Sequence, residues 1–271
     1  MRLEIAERYT GDHESSANMI LNFQSQSIQS LYIESRFNGQ KLSSATGFVV
    51  KCADEYFLIT NRHVVTGKHN QTNECLCKKT AGIPNKLAIF HNLKDGNGRW
   101  IERVEPLTTD DNRPLWYEHP TLGVKADFVA VKLTDLANVE LLPSNLGLSE
   151  RAIKLGVTDK VSVVGFPFGE KTAGGLAIWA TGSVASEPKY DHDGLPIILI
   201  DCRSREGQSG SPVLAYRSGS DVTYFEDGSI IANGMPHVNF LGIYSGRMNS
   251  ESDLGYVWKA AAIRELIASI C

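Results

Sequence analysis

No stretch of this chain is apolar for long enough to cross a membrane as a helix, which takes about 20 residues. Positive charge does not dominate either. The 27 lysines and arginines stand against 31 aspartates and glutamates, a net charge of −4. Bulk electrostatics therefore gives no pull toward nucleic acid or an anionic membrane. Neither common phosphate-binding glycine motif is present, so no nucleotide cofactor is implied. Cysteine is scarce and odd in number: Cys52, Cys75, Cys77, Cys202 and Cys271. At least one lacks an intrachain partner, and reduced thiols in a cytosol are the simplest account of all five. The opening residues, Met1 to Arg8, carry acids and have no apolar core, so no secretory signal is expected and the expected location is cytoplasmic. Internal repeats and low-complexity tracts are also missing. What remains is a chain with 42% hydrophobic and 21% charged residues, the balance of a globular protein with a sizeable core. Its 271 residues suit two small domains or one larger one.

The most informative segment is Gly207-Gln208-Ser209-Gly210-Ser211-Pro212, followed by the apolar Val213-Leu214-Ala215. A serine in such a turn sits on backbone that can bend sharply and aim two N–H groups at one spot. That arrangement can hold a developing oxyanion. Far upstream, Leu58-Ile59-Thr60-Asn61-Arg62-His63-Val64-Val65 reads as a strand end that delivers a histidine at its exit. Histidine titrates near neutral pH and can take a serine's proton. Between the two lies Lys125-Ala126-Asp127-Phe128-Val129-Ala130-Val131-Lys132-Leu133. An aspartate at the start of an apolar strand is unusual, and a carboxylate there is placed to be buried against an imidazole. Asp110, Asp111 and Asp135 are its rivals.

The rest of the pattern is that of many short strands. Segments 30–37, 47–51, 56–60, 87–90 and 100–104 read as strands, with a hairpin turn at Asp95-Gly96. Val129, Val131 and Leu133 fall on one face of the next. After a linker at Pro143-Ser144-Asn145, strands are expected over 160–165, 177–186, 196–201, 211–215, 239–245 and 255–258. A polar insertion occupies 66–86, and a helix is expected near Ser16–Phe23. Ile263, Leu266, Ile267 and Ile270 recur at helical spacing, so the last segment is expected to be an amphipathic helix.

With histidine, aspartate and serine in that order, the chain resembles the trypsin-like serine proteases of chymotrypsin fold. The Thr-Asn-x-His-Val-Val form and the segment 161–169, Val-Ser-Val-Val-Gly-Phe-Pro-Phe-Gly, resemble the bacterial branch that holds the high-temperature-requirement proteases and the staphylococcal glutamyl endopeptidase. Leu241-Gly242-Ile243-Tyr244-Ser245-Gly246 is similar to the strand that there pairs with substrate backbone. The resemblance implies an all-β fold of two six-stranded antiparallel barrels with a C-terminal α-helix. It implies an N-terminal segment over 1–26, a first barrel over 27–145 and a second over 146–271, with no room for an appended peptide-binding domain. It also implies a serine endopeptidase with His63 as general base, Asp127 as its orienter and Ser209 as nucleophile. The N–H groups of Gly207 and Ser209 would form the oxyanion hole.

Two positions depart from the pattern. Gln208 stands where animal trypsins use an aspartate to bind a freed N-terminal amine, so that activation switch is not expected. Ser211 stands where glycine is commoner. The pocket for the residue before the cut would be built from 202–206 and 245–247, with Arg203, Ser245, Gly246 and Arg247 as substrate-binding residues. Arg203, Arg205 or Arg247 could pair with an acidic substrate side chain, or the arginines could simply face solvent or neutralise Glu206. Asp191-His192-Asp193 reads as a solvated turn and Cys75-x-Cys77 as free thiols, so no metal and no cofactor is expected. The expected partners are a protein or peptide substrate and, in an alternative reading, a regulatory partner that activates an otherwise silent peptide-binding cleft.

Overall fold

The computed structural model describes residues 23–77, 82–96, 98–147, 151–232, 234–249 and 251–271. The helix expected near Ser16–Phe23 lies almost wholly outside them. The first half of the described chain contains α1 (Gln26–Gln29), β1 (Ser30–Phe37), β2 (Gln40–Cys52), β3 (Glu55–Thr60), α2 (Arg62–Thr66), β4 (Lys86–Leu93), β5 (Trp100–Pro106), β6 (Trp116–Tyr117), β7 (Val129–Lys132) and β8 (Val139–Glu140). The second half contains β9 (Lys160–Gly165), β10 (Ile178–Val184), β11 (Ile197–Asp201), β12 (Pro212–Arg217), β13 (Thr223–Tyr224), β14 (Ile230–Ile231), β15 (His237–Arg247), β16 (Leu254–Lys259) and α3 (Ala260–Ile270).

The second half closes into a six-stranded barrel in the order β10-β11-β16-β15-β12-β9, with β9 pairing β10 to seal it. The first half is one eight-stranded sheet. Its path runs β5-β4-β1-β2-β3-β7-β6, with β8 paired to β4. Of the two barrels expected, one therefore closes by continuous ladders. In the other sheet the ends approach without a ladder: Thr108 bridges Pro114, and the Leu115 N–H donates to the Leu107 carbonyl at 3.0 Å. Pro106 and Pro114 flank this contact and bring no N–H to extend it.

Strand β7 explains the burial of the carboxylate before it. Val129, Val131 and Leu133 pack with Leu31, Ile33, Leu58 and Ile89 on one face. Phe128 and Ala130 pack with Phe48, Phe57, Ile243, Trp258, Ile263 and Leu266 on the other. This second cluster is the seam between the two halves, and α3 covers it with Ile263 and Leu266 as its spacing predicts. At the far end of α3, Cys271 is disulfide-bonded to Cys52 at the end of β2, with Cα atoms 5.9 Å apart. This corrects the expectation that all the thiols are reduced. The two cysteines lie far apart in sequence, and only the packing of α3 on the seam brings them together. Among the described residues no helix is long and apolar enough to cross a membrane.

Candidate active site

His63 is not at a strand exit but in the short helix α2. The chain leaves β3 at Asn61, whose extended backbone precedes the helix, and Gly67 ends the helix in the left-handed region. The turn buries Val64 and Val65 and leaves the His63 ring at the surface of the seam. Its Nδ1 lies 2.7 Å from Asp127 Oδ2, and its backbone N–H donates to Asp127 Oδ1 at 2.9 Å. The Asn61 side chain holds the Asp127 carbonyl at 2.6 Å, so both ends of this residue are fixed by the histidine's own turn. Ser245 adds a third bond to the carboxylate, its hydroxyl donating to Oδ2 at 2.6 Å. Asp127 is 5% exposed, and its two carboxylate oxygens accept from the His63 turn and from Ser245. Of the rival aspartates, Asp110 is exposed and the other two are engaged elsewhere. Asp111 pairs with Arg113 and Asp135 with Arg103.

Ser209 sits in the loop just before the barrel strand β12. Its loop is bent at Gly207 (φ +91°) and Gly210 (φ +86°), where a side chain would be strained. A Cβ on Gly207 would also overlap the Phe166 carbonyl oxygen, and one on Gly210 the Thr46 carbonyl oxygen. Gln208 and Gly210 donate their N–H groups to Arg205 and Tyr244, whereas those of Gly207 and Ser209 have no acceptor among the described residues. The direction of the Gly207 N–H has a visible cause. The Glu206 carbonyl accepts the Phe168 N–H at 2.5 Å. In a trans peptide the following N–H points the opposite way. Phe168 can reach because the turn Pro167–Gly169 runs through the left-handed region at Phe168 (φ +57°) and Gly169 (φ +75°).

Gln208 is fully buried, and its side-chain oxygen accepts the Arg205 N–H at 2.7 Å, so the loop is tied to itself. Thr46, also fully buried on β2, ties it to the other half of the molecule. Its N–H donates to the Ser209 carbonyl at 2.8 Å and its hydroxyl to the Gly207 carbonyl at 2.9 Å. The same hydroxyl accepts the Phe166 N–H at 3.2 Å. Nothing in the sequence singled out Thr46. Its one signal is a polar residue shortly before the apolar run Phe48-Val49-Val50.

His63, Asp127, Ser209, Ser245, Gly246 and Arg247 line one cavity of about 550 Å³. The hydroxyl of Ser209 makes no hydrogen bond to the His63 ring in this arrangement. Arg203 and Arg205 lie outside the cavity walls, and both approach Asp253, at 3.9 and 3.7 Å. For Arg203 and Arg205 the acidic-substrate expectation thus meets a carboxylate already supplied by the chain, whereas Arg247 lines the cavity. Behind the serine loop the Tyr244 and Ser204 hydroxyls bond to each other, both nearly inaccessible, and burial pushes the Tyr244 phenol up to about 12. Ser245, expected at the substrate, is found bonded to Asp127. Elsewhere, the Cys75 thiol faces the carbonyls of Cys77 and Gly82, and Asp191 pairs with Lys259.

Residues 45–222, about two thirds of the chain, match the family model for the trypsin-like peptidase domain. No curated protein matches the chain. Among solved structures it is similar to an inactive-form mutant of Rv3671c from M. tuberculosis, at 16% identity and TM-score 0.48 over 91% of this chain and 88% of that one. The active form of the same protease gives 17% and 0.47 over 98% and 94%. A serine endoprotease from Yersinia pestis gives 13% and 0.49 over 91% of this chain and 65% of that one. These three likenesses are too distant to bear on mechanism.

Proposed function

The chain belongs to the trypsin-like peptidase domain family, and from that premise we propose that it is a serine endopeptidase with Ser209 as nucleophile, His63 as general base and Asp127 as orienter. One observation carries the reading. The His63–Asp127 pair and Ser209 share a cavity, and the two N–H groups flanking the serine turn lack acceptors among the described residues.

In this mechanism the Ser209 oxygen attacks the carbonyl carbon while His63 Nε2 takes its proton. Asp127 holds Nδ1 and stabilises the imidazolium. The Gly207 and Ser209 N–H groups receive the charge that develops on the carbonyl oxygen, a contribution made in the transition state. His63 then protonates the leaving amine, and water repeats the cycle on the acyl-enzyme. Hydrogen bonds between nucleophile and base are commonly long before substrate arrives. We also read the first sheet as the first of two barrels, completed at the Leu107–Leu115 contact, with the boundary near 145–146.

The test is labelling with a fluorophosphonate, which reacts with an activated serine. The native chain should label at Ser209 and lose the label in Ser209→Ala. A native chain that neither labels nor cleaves any member of a peptide library would overturn the reading.

A further inference from the structure

Consecutive carbonyls of the serine loop, from Glu206 to Ser209, are each held by a hydrogen bond. The Phe168 N–H donates to Glu206 at 2.5 Å, the Ser211 N–H to Gln208 at 3.0 Å and the Thr46 N–H to Ser209 at 2.8 Å. Those donors are backbone groups, which any residue but proline supplies. The Gly207 carbonyl differs. Its donor is a side chain, the hydroxyl of Thr46, at 2.9 Å.

The order along the loop matters because a trans peptide turns its N–H away from its C=O. Holding the Glu206 carbonyl aims the Gly207 N–H, and holding the Gln208 carbonyl aims the Ser209 N–H. The peptide between them, from Gly207 to Gln208, sets the angle between these two donors. It is fixed at its N–H by the Arg205 carbonyl, 3.2 Å from the Gln208 nitrogen, and at its C=O by Thr46. The same hydroxyl accepts the Phe166 N–H at 3.2 Å. Phe166 leads into the turn whose Phe168 N–H holds Glu206. One hydroxyl thus acts on two successive peptides of the loop. Gly165 keeps room for it, since a Cβ there would lie 2.6 Å from Thr46 Oγ1. Thr46 has little freedom of its own. It is fully buried, pairs with Tyr32 across β1 and β2, and its carbonyl accepts the Thr60 hydroxyl at 2.9 Å.

Resting on the peptidase reading above, we propose that Thr46 is a positioning residue for the oxyanion hole, its hydroxyl keeping the Gly207 and Ser209 N–H groups convergent. Thr46 is fully buried and does not line the cavity, so it acts through the loop and not on the substrate. Valine has the shape of threonine but can neither donate to Gly207 nor accept from Phe166. Both residues are buried, so a carbonyl and an N–H would be left there without a partner. The loop relieves that cost by rotating the peptide between the two donors. Serine keeps the hydroxyl. Ser211 supplies the control. Its hydroxyl is as deeply buried, flanks the same Gly165 and has no hydrogen-bond partner among the described residues.

The experiment measures kcat and KM on one cleaved peptide for the native chain, Thr46→Val, Thr46→Ser and Ser211→Ala. Thr46→Val should lower kcat about 100-fold, the lower end of the loss when an oxyanion donor is removed, with KM little changed. Thr46→Ser, which keeps the hydroxyl, and Ser211→Ala, which removes an unbonded one, should each lose less than about tenfold. A loss under about tenfold in Thr46→Val, or one above it in either of the other two, overturns the proposal. Thr46→Ala gives the same readout if the valine variant does not fold. Amide hydrogen exchange separates this from failure of the peptidase reading, because it needs no turnover. Thr46→Val should speed exchange of the Phe168 and Gln208 N–H groups, neither of which bonds to Thr46, by at least about tenfold relative to strand β9. That result supports the positioning role even if the native chain neither labels nor cleaves. Unchanged exchange sinks it.

Discussion

At the scale of single residues, the site depends on who holds whom. Asp127→Asn keeps the shape but leaves His63 Nδ1 facing a group of the wrong hydrogen-bonding kind. Turnover should drop by about four orders of magnitude, the scale of loss when a carboxamide replaces the carboxylate of a serine-protease triad. Asp111→Asn and Asp135→Asn should change it little, because each pairs with an arginine away from the site. A larger loss from either, measured as kcat on one peptide, would mean that another carboxylate serves His63. Gly207→Ala tests the serine turn. A methyl there strains the backbone and meets the Phe166 carbonyl, so the hole should distort and kcat fall by about 100- to 1,000-fold. Fluorescence-monitored unfolding should show that the fold survives. His63, Asp127 and Ser209, the residues proposed for catalysis, stood out in the sequence because each sits in a distinctive local pattern of residues. Thr46 and Gln208 were not, since their roles lie in hydrogen bonds to backbone distant in sequence or hidden within a loop.

At the scale of elements, the short strands were read closely because apolar alternation and turn residues mark them. β1 and β9 have the bounds expected from sequence. The two-residue strands β6, β8, β13 and β14 escaped because two residues show no period. The disulfide between β2 and α3 escaped for a related reason, as sequence spacing carries no information on which distant ends meet. Counting thiols in denaturant should find three, with Cys52 and Cys271 recovered only after reduction. Five without reduction would restore the reduced reading. In the native state Cys202 should stay unreactive, since burial pushes its thiol up to about 11. Strand β4 carries an acid-sensitive group. Burial, with a smaller contribution from Arg103, pushes His91 down from 6.5 to about 4. Between those values the unfolded chain binds the proton and the folded chain does not, so stability falls as pH falls through that window. The full shift corresponds to roughly 3 kcal/mol. His91→Leu should lose less stability than the native chain between pH 7 and pH 4.5, as measured by urea midpoints. An equal loss in both would remove His91 as the cause.

At the scale of the whole molecule, the two halves are stapled near the beginning of the described chain. The Ser27 hydroxyl accepts the Trp179 indole N–H at 2.8 Å, its carbonyl accepts the Ala177 N–H at 3.0 Å, and the Ser30 hydroxyl donates to the Val164 carbonyl at 2.8 Å. Trimming through residue 22 should therefore leave fluorophosphonate labelling intact, whereas trimming through Ser30 should reduce it. If the shorter trim alone creates labelling, residues 1–22 act as an inhibitory pro-region. The closed barrel of the second half was legible from its evenly spaced short strands. The seam was not, because it is made of side chains that meet only after both halves have formed. Thr46 gives that seam its sharpest consequence. The loop bearing Ser209, the proposed nucleophile, is suspended from a strand that belongs to the opposite half, so on that proposal a slip of one half against the other by a fraction of an ångström would reach the reacting atoms directly. Rate should then act as a strain gauge for the joint. Under rising denaturant, cleavage would fade while the strands are still intact, and the catalyst would be lost before the protein.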